Sequence, residues 1–381
     1  MNILYDYTVF QLQRYGGISR YFFELIKRLS TKEDVSINLF QGFHINEYGL
    51  SEHRQNFESY WGHKIGCNKP AIKYLAYILF SMPNKILFDQ YIGSSDVDIY
   101  HPTYYRSDLD KYNKSAIVLT VHDMIHELYP DQFIDSRFVI KAKKISINKA
   151  DLIISISENT KKDLMNIYDV LEDKIKVIYH ANSLPKSNEY LKCADLEKMY
   201  SITKPFLLYV GDRKRSYKNF TILLETYSTM LSDRFDFVCF GGGDFSHNEL
   251  RTIKSIRCSG KVIHISGPDH LLASLYKNAF CFIYPSLYEG FGIPLLEAMG
   301  LGCPVIASNT SSIPEVVDKA ALLFDPNSED CLINVIELLE KNESRREKLI
   351  NLGFEQEKKF SWDKTANETF NVYKCAYDLK H

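Results

Sequence analysis

The sequence lacks the cysteine, histidine and apolar patterns that identify several common classes of protein. Its eight cysteines include no Cys-x-x-Cys pair and no His/Cys cluster at the spacing of zinc ligands, which argues against zinc-binding and dithiol redox modules. Free, mostly buried thiols in a reducing compartment are the simpler interpretation. No stretch approaches the ~20 consecutive apolar residues that a membrane-spanning helix needs.

An excess of charge of one sign is lacking as well, because 46 basic residues stand against 48 acidic residues. A nucleic-acid-binding domain normally carries a basic excess, so we expect no nucleic-acid partner. The N-terminus, MNILYDYTVF, has no basic region followed by an apolar core. We therefore expect no secretory signal and a cytoplasmic location.

Strands alternate with helices along the chain, and the pattern restarts in the second half. A chain of 381 residues is also longer than one ordinary core requires. We predict an α/β protein with two Rossmann-like, doubly wound domains that face a central cleft. The expected domains are residues 1–185, completed by a last helix at 363–381, and residues 198–362. A polar, irregular stretch at 185–197 is the expected linker.

The stretch with the most information is residues 281–308, CFIYPSLYEGFGIPLLEAMGLGCPVIAS. An apolar strand leads to a loop with Glu289, and a helix with Pro294 in its first turn ends at Gly300. Glu289 and Glu297 therefore bracket a helix N-terminus, whose free amides and positive dipole end suit phosphate. The stretch predicts a pocket for a ligand with sugar hydroxyls and phosphates.

A cationic loop follows the first strand of the second half, in the sequence YVGDRKRSYKNF. Fixed cations at a strand end would stabilise the negative charge that grows on a departing diphosphate. A run of charges is more often a solvated loop, but the helix N-terminus and Glu297 in the same half favour a diphosphate site. The cations are Arg213, Lys214, Arg215 and Lys218.

Two features of the first half lie where doubly wound domains bind ligands. Gly16 and Gly17 stand between the first strand and its helix, where a glycine pair lets a ligand approach the backbone, although an ordinary tight turn has the same composition. His122 follows the predicted strand 116–121, at the edge of the sheet where ligands bind. A single histidine is more often structural than functional, so a role for His122 in ligand binding needs further support.

These motifs resemble those of the retaining GT-B glycosyltransferases of family four. The spacing of Glu289 and Glu297 resembles the family's Glu-x7-Glu motif, GGISRY resembles its first loop, and TVHD resembles its strand-end histidine. The resemblance implies the GT-B fold and covers nearly the whole chain. The family's Asn-Gly-Val-Asp segment is replaced by His180-Ala181-Asn182, so no role is transferred there.

The resemblance implies a role for each matching residue. Glu297 should bind the ribose hydroxyls of a nucleotide sugar, Glu289 the sugar hydroxyls, and His122 should face the anomeric carbon. Residues expected to hold the sugar through backbone amides are Phe291, Gly292 and Ile293. Residues expected at the diphosphate are Arg213, Lys218, Gly16 and Gly17. No covalent nucleophile is evident, so we expect front-face attack in which the leaving phosphate helps to deprotonate the acceptor hydroxyl.

The loop YVGDRKRSYKN also resembles bacterial mannosyltransferases that build O-antigen on an undecaprenyl diphosphate carrier. The resemblance implies GDP-mannose as donor, α configuration, a 3-hydroxyl acceptor and a lipid-linked saccharide. Three alternatives stay open: a UDP-sugar-dependent glycosyltransferase of capsule or O-antigen assembly, a nucleotide-sugar 2-epimerase of the same fold, and a non-catalytic nucleotide-sugar binder. Retention of the Arg, Lys, His and both Glu residues disfavours the last.

The sequence also bears on metal and cofactor requirements. Two Asp-x-Asp triplets, at Asp96 and Asp108, resemble the metal motif of GT-A enzymes, but neither ends an apolar strand. The glycines at 241–243 lack the Gly-x-Gly-x-x-Gly spacing of a dinucleotide site. With a cationic loop present, we expect no metal and no cofactor, the nucleotide sugar being a substrate.

The segment 60–92 is basic and aromatic, and Asp89 is its only acidic residue. Such a segment can lie on the cytoplasmic face of the inner membrane, which would bring the protein close to a lipid-linked acceptor. A core-facing helix with a solvated lysine face explains the pattern equally well. Besides Trp61, the residues concerned are Lys64, Lys69, Lys73 and Lys85.

Overall fold

The computed structural model describes residues 1–66, 70–92, 96–184, 190–255 and 260–381, without the side chains of 70–77. Over this part of the chain the protein forms two compact units. One comprises residues 1–180 with 362–381, and the other residues 181–361. Each unit contains one parallel sheet whose strands are joined through helices, so the predicted pair of Rossmann-like domains is confirmed.

The first unit contains a seven-stranded sheet over the described residues, in the order β3-β2-β1-β4-β5-β6-β7. The direction of winding reverses between β1 and β4, and ligands of such sheets bind at the carboxyl ends beside this switch point. The strands are β1 Asn2–Tyr5, β2 Ser36–His44, β3 Ser59–Lys64, β4 Ile99–His101, β5 Ala116–Val121, β6 Leu152–Ser155 and β7 Ile175–Val177.

The helices of the first unit include the last helix of the chain. They are α1 Thr8–Leu12, α2 Gly17–Leu29, α3 Pro70–Ile92, α4 Ile125–Leu128, α5 Ser136–Lys149, α6 Glu158–Tyr168 and α15 Trp362–Lys380. Helix α15 joins the sheet through a buried hydrogen bond of 2.8 Å between the hydroxyls of Tyr373 and Tyr5. Arg28 of α2 binds Asp363 at 2.7 Å.

The second unit repeats the architecture with a six-stranded sheet over its described residues, in the order β10-β9-β8-β11-β12-β13. Its strands are β8 Phe206–Val210, β9 Asp236–Phe240, β10 Val262–Ile265, β11 Cys281–Tyr284, β12 Val305–Ser308 and β13 Ala321–Phe324. Its helices are α7 Cys193–Tyr200, α8 Phe220–Thr226, α9 His247–Ser255, α10 Asp269–Asn278, α11 Ile293–Gly300, α12 Ile313–Val317, α13 Glu329–Glu340 and α14 Glu343–Glu357.

The central strands form because their residues are apolar on both faces. Every residue of β5, β11 and β12 is buried, which is the pattern of a parallel sheet covered by helices. The carboxyl ends of these strands carry short loops with His122 after β5 and Glu289 after β11. The fold thus places both predicted site residues at ligand-binding edges of their own sheets.

Four local features of the structure are not anticipated from the sequence. Strand β3 was not predicted, because its partly exposed sequence SYWGHK has no continuous apolar run. Helix α8 is α-helical to Thr226, and the chain then continues as a π-helical turn over Tyr227–Leu231. In the expected linker, residues 185–189 lie outside the described residues, and α7 begins at Cys193. Three of the six described cysteines are exposed, fewer buried thiols than expected.

The basic, aromatic segment 60–92 divides between β3 and α3. Trp61 lies in the strand and stacks on Phe40 with ring centroids 4.9 Å apart. Lys64 is paired with Glu47, and Lys85 lies 3.7 Å from Asp108. Lys69 and the side chain of Lys73 lie outside the described residues. Among the described helices, none has the length and hydropathy needed to cross a bilayer.

Candidate active site

The cationic loop and the Glu289 loop meet in the second unit. Lys218 ends a short turn after β8, and its Nζ lies 2.6 Å from Oε1 of Glu289. A backbone bond of 2.7 Å from Leu287 N to Tyr217 O joins the two loops. The structure therefore brings together the lysine predicted at the diphosphate and the carboxylate predicted at the sugar, which are 71 residues apart in sequence.

Two serines that sequence reasoning missed hold the Glu289 loop. The Glu289 N–H donates to Ser311 Oγ at 2.9 Å, and Ser312 Oγ donates to Glu289 O at 2.9 Å and to Phe291 O at 3.1 Å. Ser312 stands at the N-cap of α12 but makes no side-chain cap bond there. A serine before Ile-Pro can be recognised in the sequence as a helix N-cap. The hydrogen bonds of Ser312 to a distant loop cannot be recognised in this way.

The N-terminus of α11 follows this loop directly. Gly292 is the N-cap with φ of +107°, and a Cβ at this position would lie 2.8 Å from Leu295 Cδ1. Glycine is therefore required by both the backbone angle and the close packing. The first amides of the helix, including that of Ile293, have no acceptor within the helix. The predicted amide site of Phe291, Gly292 and Ile293 thus lies beside Glu289.

Glu297 lies one turn into α11, half-buried, and interacts with a residue that sequence reasoning missed. The Tyr276 hydroxyl of α10 donates to Glu297 Oε2 at 3.2 Å. Burial, and then the nearby Glu297 carboxylate, raise the pKa of Tyr276 well above its ordinary value, so this hydroxyl keeps its proton. Tyr276 is fully buried and fixes one oxygen of the carboxylate.

Arg213 was predicted at the diphosphate, but its contacts are with the protein. Its Nε lies 2.9 Å from Glu249 Oε1, and its Nη1 lies 2.6 Å from Gly241 O. Its Nη2 donates to Gly243 O. The side chain is only 1% exposed. Glu249, on α9, is another residue that no sequence motif identifies.

In the first unit, His122 is buried among aromatic and histidine rings. Its ring centroid lies 5.3 Å from that of Tyr21 and 5.7 Å from that of His180. Burial is the largest cause that lowers its pKa well below the ordinary value, and nearby His180, His101 and Lys143 add to it. The imidazole is therefore neutral. Among the described residues, its Nε2 has no hydrogen-bond partner.

A buried lysine, also missed from the sequence, anchors the loop after His122. Lys143 of α5 is 0% exposed, and its Nζ donates to Asp123 O at 2.9 Å and to Glu127 Oε2 at 2.8 Å. Tyr168 donates to the other Glu127 oxygen at 2.5 Å. Because an unpaired buried charge is costly, this network fixes the path of residues 123–127.

The glycine pair of the first unit lies at the start of α2. Gly16 has extended backbone and is the N-cap, and Gly17 is the first helical residue. A Cβ at Gly16 would lie 2.3 Å from Gln13 Oε1, the atom that accepts the Ser19 N–H. A Cβ at Gly17 would meet nothing within 4 Å, so Gly17 leaves open space in front of the helix N-terminus.

The two Asp-x-Asp triplets make protein contacts. Asp98 Oδ2 accepts the Asn2 N–H at 2.8 Å, and both oxygens of Asp108 accept from Arg106 at 3.0 Å. Asp110 pairs with Lys149. In the part of the chain that the structure describes, no group of three or more His, Cys, Asp or Glu side chains could hold a metal ion. The absence of a metal requirement stays a prediction, and the contacts described are those of Asp98, Asp108 and Asp110.

Two family models match the chain and together span most of it. Residues 15–181 match Glycosyltransferase Family 4, and residues 195–356 match Glycosyl transferases group 1. O-antigen chain mannosyltransferase B of Escherichia coli is 28% identical over 385 aligned positions, which cover 94% of this chain and 96% of that protein. O-antigen chain mannosyltransferase RfbU of Salmonella typhimurium is 28% identical over 58% of this chain and 60% of that protein.

Solved structures agree on the fold. Sucrose-phosphate synthase from Thermosynechococcus elongatus superimposes with a TM-score of 0.74 at 18% identity, over 99% of both chains. Anabaena HepE in complex with UDP and glucose superimposes with a TM-score of 0.71 at 15% identity, over 98% of this chain and 99% of that one. Identities this low bear on the fold alone.

Proposed function

The chain belongs to the GT-B glycosyltransferases, and we propose that it transfers mannose from GDP-mannose, with α configuration, to a saccharide carried on undecaprenyl diphosphate. The acceptor position we propose is a 3-hydroxyl. The reaction would belong to O-antigen assembly in lipopolysaccharide biosynthesis. Support for mannose and O-antigen comes from the names of relatives at 28% identity.

The observation that carries the proposal is the pair of Lys218 and Glu289. The two charged atoms are 2.6 Å apart, and the Lys218 side chain, 19% exposed against 9% for Glu289, is the member of the pair that is open to a ligand. An entering diphosphate offers Lys218 a more highly charged partner, and the sugar hydroxyls offer hydrogen bonds to the Glu289 carboxylate. As the sugar departs, negative charge grows on the phosphate beside the fixed cation and the α11 N-terminus, which stabilises the transition state.

The remaining residues take supporting roles in this proposal. Glu297, fixed by Tyr276, binds the ribose hydroxyls. His122 presents a neutral imidazole with an unpartnered nitrogen, which suits a hydrogen bond to the sugar better than proton abstraction. The leaving phosphate oxygen is then the base that receives the acceptor proton.

Peripheral contact with a membrane belongs to the proposal, and α3 offers an apolar surface for it. Ile78, Met82 and Ile86, spaced by four residues, are each more than half exposed, as is Leu79. Residues four apart share a helix face, so these side chains form one stripe. Because Lys64 and Lys85 have acidic neighbours, we assign more of the attraction to this apolar stripe than to charge.

The decisive experiment for donor and acceptor uses purified protein and a short GlcNAc- or mannosyl-GlcNAc-diphospho-lipid analogue. With radiolabelled GDP-mannose, we expect a labelled lipid product that a linkage-specific α-mannosidase digests. Efficient transfer from a UDP-sugar, with none from GDP-mannose, would reject GDP-mannose as the donor. Incubation with donor alone tests the alternative of a 2-epimerase, which would release an epimerised nucleotide sugar.

Vesicle flotation tests the membrane contact. The triple variant Ile78→Gln, Met82→Gln and Ile86→Gln should bind anionic vesicles more weakly than the wild-type protein. Matched substitutions at the exposed Met199 and Met230 of the second unit should leave binding unchanged. If all the proteins float equally, α3 is a core-packed helix with a solvated face and does not bind the membrane.

A further inference from the structure

Arg213 differs from the other cations of its loop in being almost completely buried. Its side chain is 1% exposed, whereas Lys218 is 19% and Arg215 is 36% exposed. The guanidinium carbon lies 4.7 Å from the ring centroid of Phe245 and 5.7 Å from that of Phe220. A cation in this environment needs partners inside the protein.

The partners of Arg213 come from two other segments of the second unit. The guanidinium binds the carboxylate of Glu249 on α9 and the carbonyls of Gly241 and Gly243 in the loop after β9. A planar guanidinium has donors in a fixed fork, so one side chain can hold a carboxylate and two carbonyls in a set arrangement. Arg213 therefore links the ends of β8 and β9 to α9.

Moving the guanidinium away to a ligand would be costly. The Glu249 carboxylate would lose its cation, and the Gly241 carbonyl would lose its bond of 2.6 Å. A buried polar group left without a partner keeps the full cost of its lost hydration. The contacts with Phe220 and Phe245 would be lost as well. The position of Arg213 in the free protein is therefore strongly preferred.

The loop that Arg213 holds has an unusual backbone. Gly241, Gly242 and Gly243 have φ of +80°, +72° and +72°, a conformation that only glycine adopts readily. A Cβ at Gly242 would lie 2.7 Å from Gly211 O, so this loop also packs against the end of β8. Among the described residues, the N–H groups of Gly242 and Gly243 have no acceptor. Three successive glycines are flexible unless something fixes them.

We propose that Arg213 is a positioning residue that fixes the loop 241–243 for the nucleotide-sugar donor, while Lys218 provides the cation that contacts the diphosphate. The fixed loop would keep the Gly242 and Gly243 N–H groups available to an anionic or hydroxyl group of the donor. This inference rests on the proposed donor-binding role of the second unit. It departs from the direct diphosphate contact that the sequence predicts for Arg213.

The first test is amide hydrogen exchange in the protein without donor. Arg213→Lys keeps the charge but loses the fork, so the hydrogen-bonded amides of Gly241, Ser246 and Glu249 should exchange roughly tenfold faster or more, the scale of losing hydrogen bonds to a charged group. Arg251→Lys, at an exposed position on α9, is the matched control and should change nothing. Unchanged exchange in Arg213→Lys would overturn the proposal.

The second test measures turnover with whichever nucleotide sugar the protein uses. Glu249→Ala should lower kcat on the order of 10²-fold, as expected when a positioning contact is lost. Arg213→Lys should have a similar effect, and the double variant should be little worse than either, because one linkage is broken in each. Asn248→Ala, at the exposed position next to Glu249 on α9, is the control. Wild-type turnover in Glu249→Ala would support direct contact by Arg213 instead.

Calorimetric titration with GDP and UDP separates this inference from the proposed function. A wild-type protein that binds neither nucleotide would contradict donor binding, whereas the exchange experiment would still judge the role of Arg213. If Arg213→Lys weakens GDP binding without any change in the exchange of the free protein, Arg213 is a direct ligand and the positioning role is wrong.

Discussion

Each unit contains a lysine–glutamate pair beside a predicted site residue, and the two pairs differ in exposure. Lys143 and Glu127 lie 2.8 Å apart behind the His122 loop, 0% and 7% exposed. Lys218 and Glu289 lie 2.6 Å apart, 19% and 9% exposed. A fully buried pair cannot exchange partners without leaving an unpaired charge, so it fixes a loop. A partly exposed ammonium can exchange its carboxylate for a phosphate oxygen.

Removing the ammonium of the buried pair should have the greatest effect on stability. Lys143→Met leaves Glu127 unpaired in the protein and should lower the free energy of unfolding by about 3–5 kcal/mol, as measured by urea denaturation. Lys144→Met, on the same helix but exposed, should change it by less than about 0.5 kcal/mol. Equal stabilities of the two variants would mean that the Lys143 pair does not hold the loop.

The accessible pair, Lys218 and Glu289, should respond to substitution mainly through a loss of turnover. Lys218→Ala and Glu289→Ala should each lower kcat on the order of 10²-fold, the loss expected for one preorganised transition-state contact. The stability of Glu289→Ala should stay close to that of the wild-type protein, because the remaining ammonium is 19% exposed and water can solvate it. The exposed Lys254→Ala on α9 is the control for turnover. Normal turnover in both site variants would make the pair merely structural.

Protonation gives a weaker perturbation that acts on the buried region of the first unit. Burial lowers the pKa values of His101 and His180 to about 3, from 6.5. Below pH 6.5 the unfolded chain therefore binds more protons than the folded protein, so the free energy of unfolding should fall as pH falls from 6.5 towards 3. The slope is at most about 1.4 kcal/mol per pH unit for each histidine.

Urea denaturation of His101→Gln at pH 7.5, 6 and 5 checks this expectation. Whatever its stability at pH 7.5, the variant should lose less stability than the wild-type protein on acidification, because one buried titrating group is gone. The accessible pair of Lys218 and Glu289 is unaffected by this change. An identical pH slope in both proteins would contradict the prediction that burial keeps His101 neutral.

The smallest expected effect concerns metal ions. If Lys218 and the α11 N-terminus neutralise the diphosphate, treatment with EDTA should leave most of the turnover. Loss of activity with EDTA and recovery with Mn²⁺ or Mg²⁺ would show that the accessible pair needs a metal ion. The carboxylates of Asp96 and Asp98 would then need to be tested by substitution.

Much of the fold follows from the sequence because its strands are short apolar runs separated by helical patterns. Strand β11 and helix α11 were predicted nearly as they occur, since Pro294 and Gly300 mark the limits of the helix. Strand β3 could not be predicted, because an edge strand that is half-exposed does not need a continuous apolar run. The supporting residues Tyr276, Ser312 and Lys143 were also not evident, since each acts on a segment about 20 residues away.

The positions of His122, Arg213 and Glu289 at the carboxyl ends of parallel strands follow from sequence alone, because strand periodicity and loop position are local properties. The partner of each charged side chain, in contrast, depends on the three-dimensional path of the chain. Lys218 pairs with Glu289 across 71 residues, whereas Arg213, five residues earlier in the same cationic loop, turns inward to Glu249. Contacts near 3 Å depend on the path of two loops and the packing beneath them, and no local pattern specifies both.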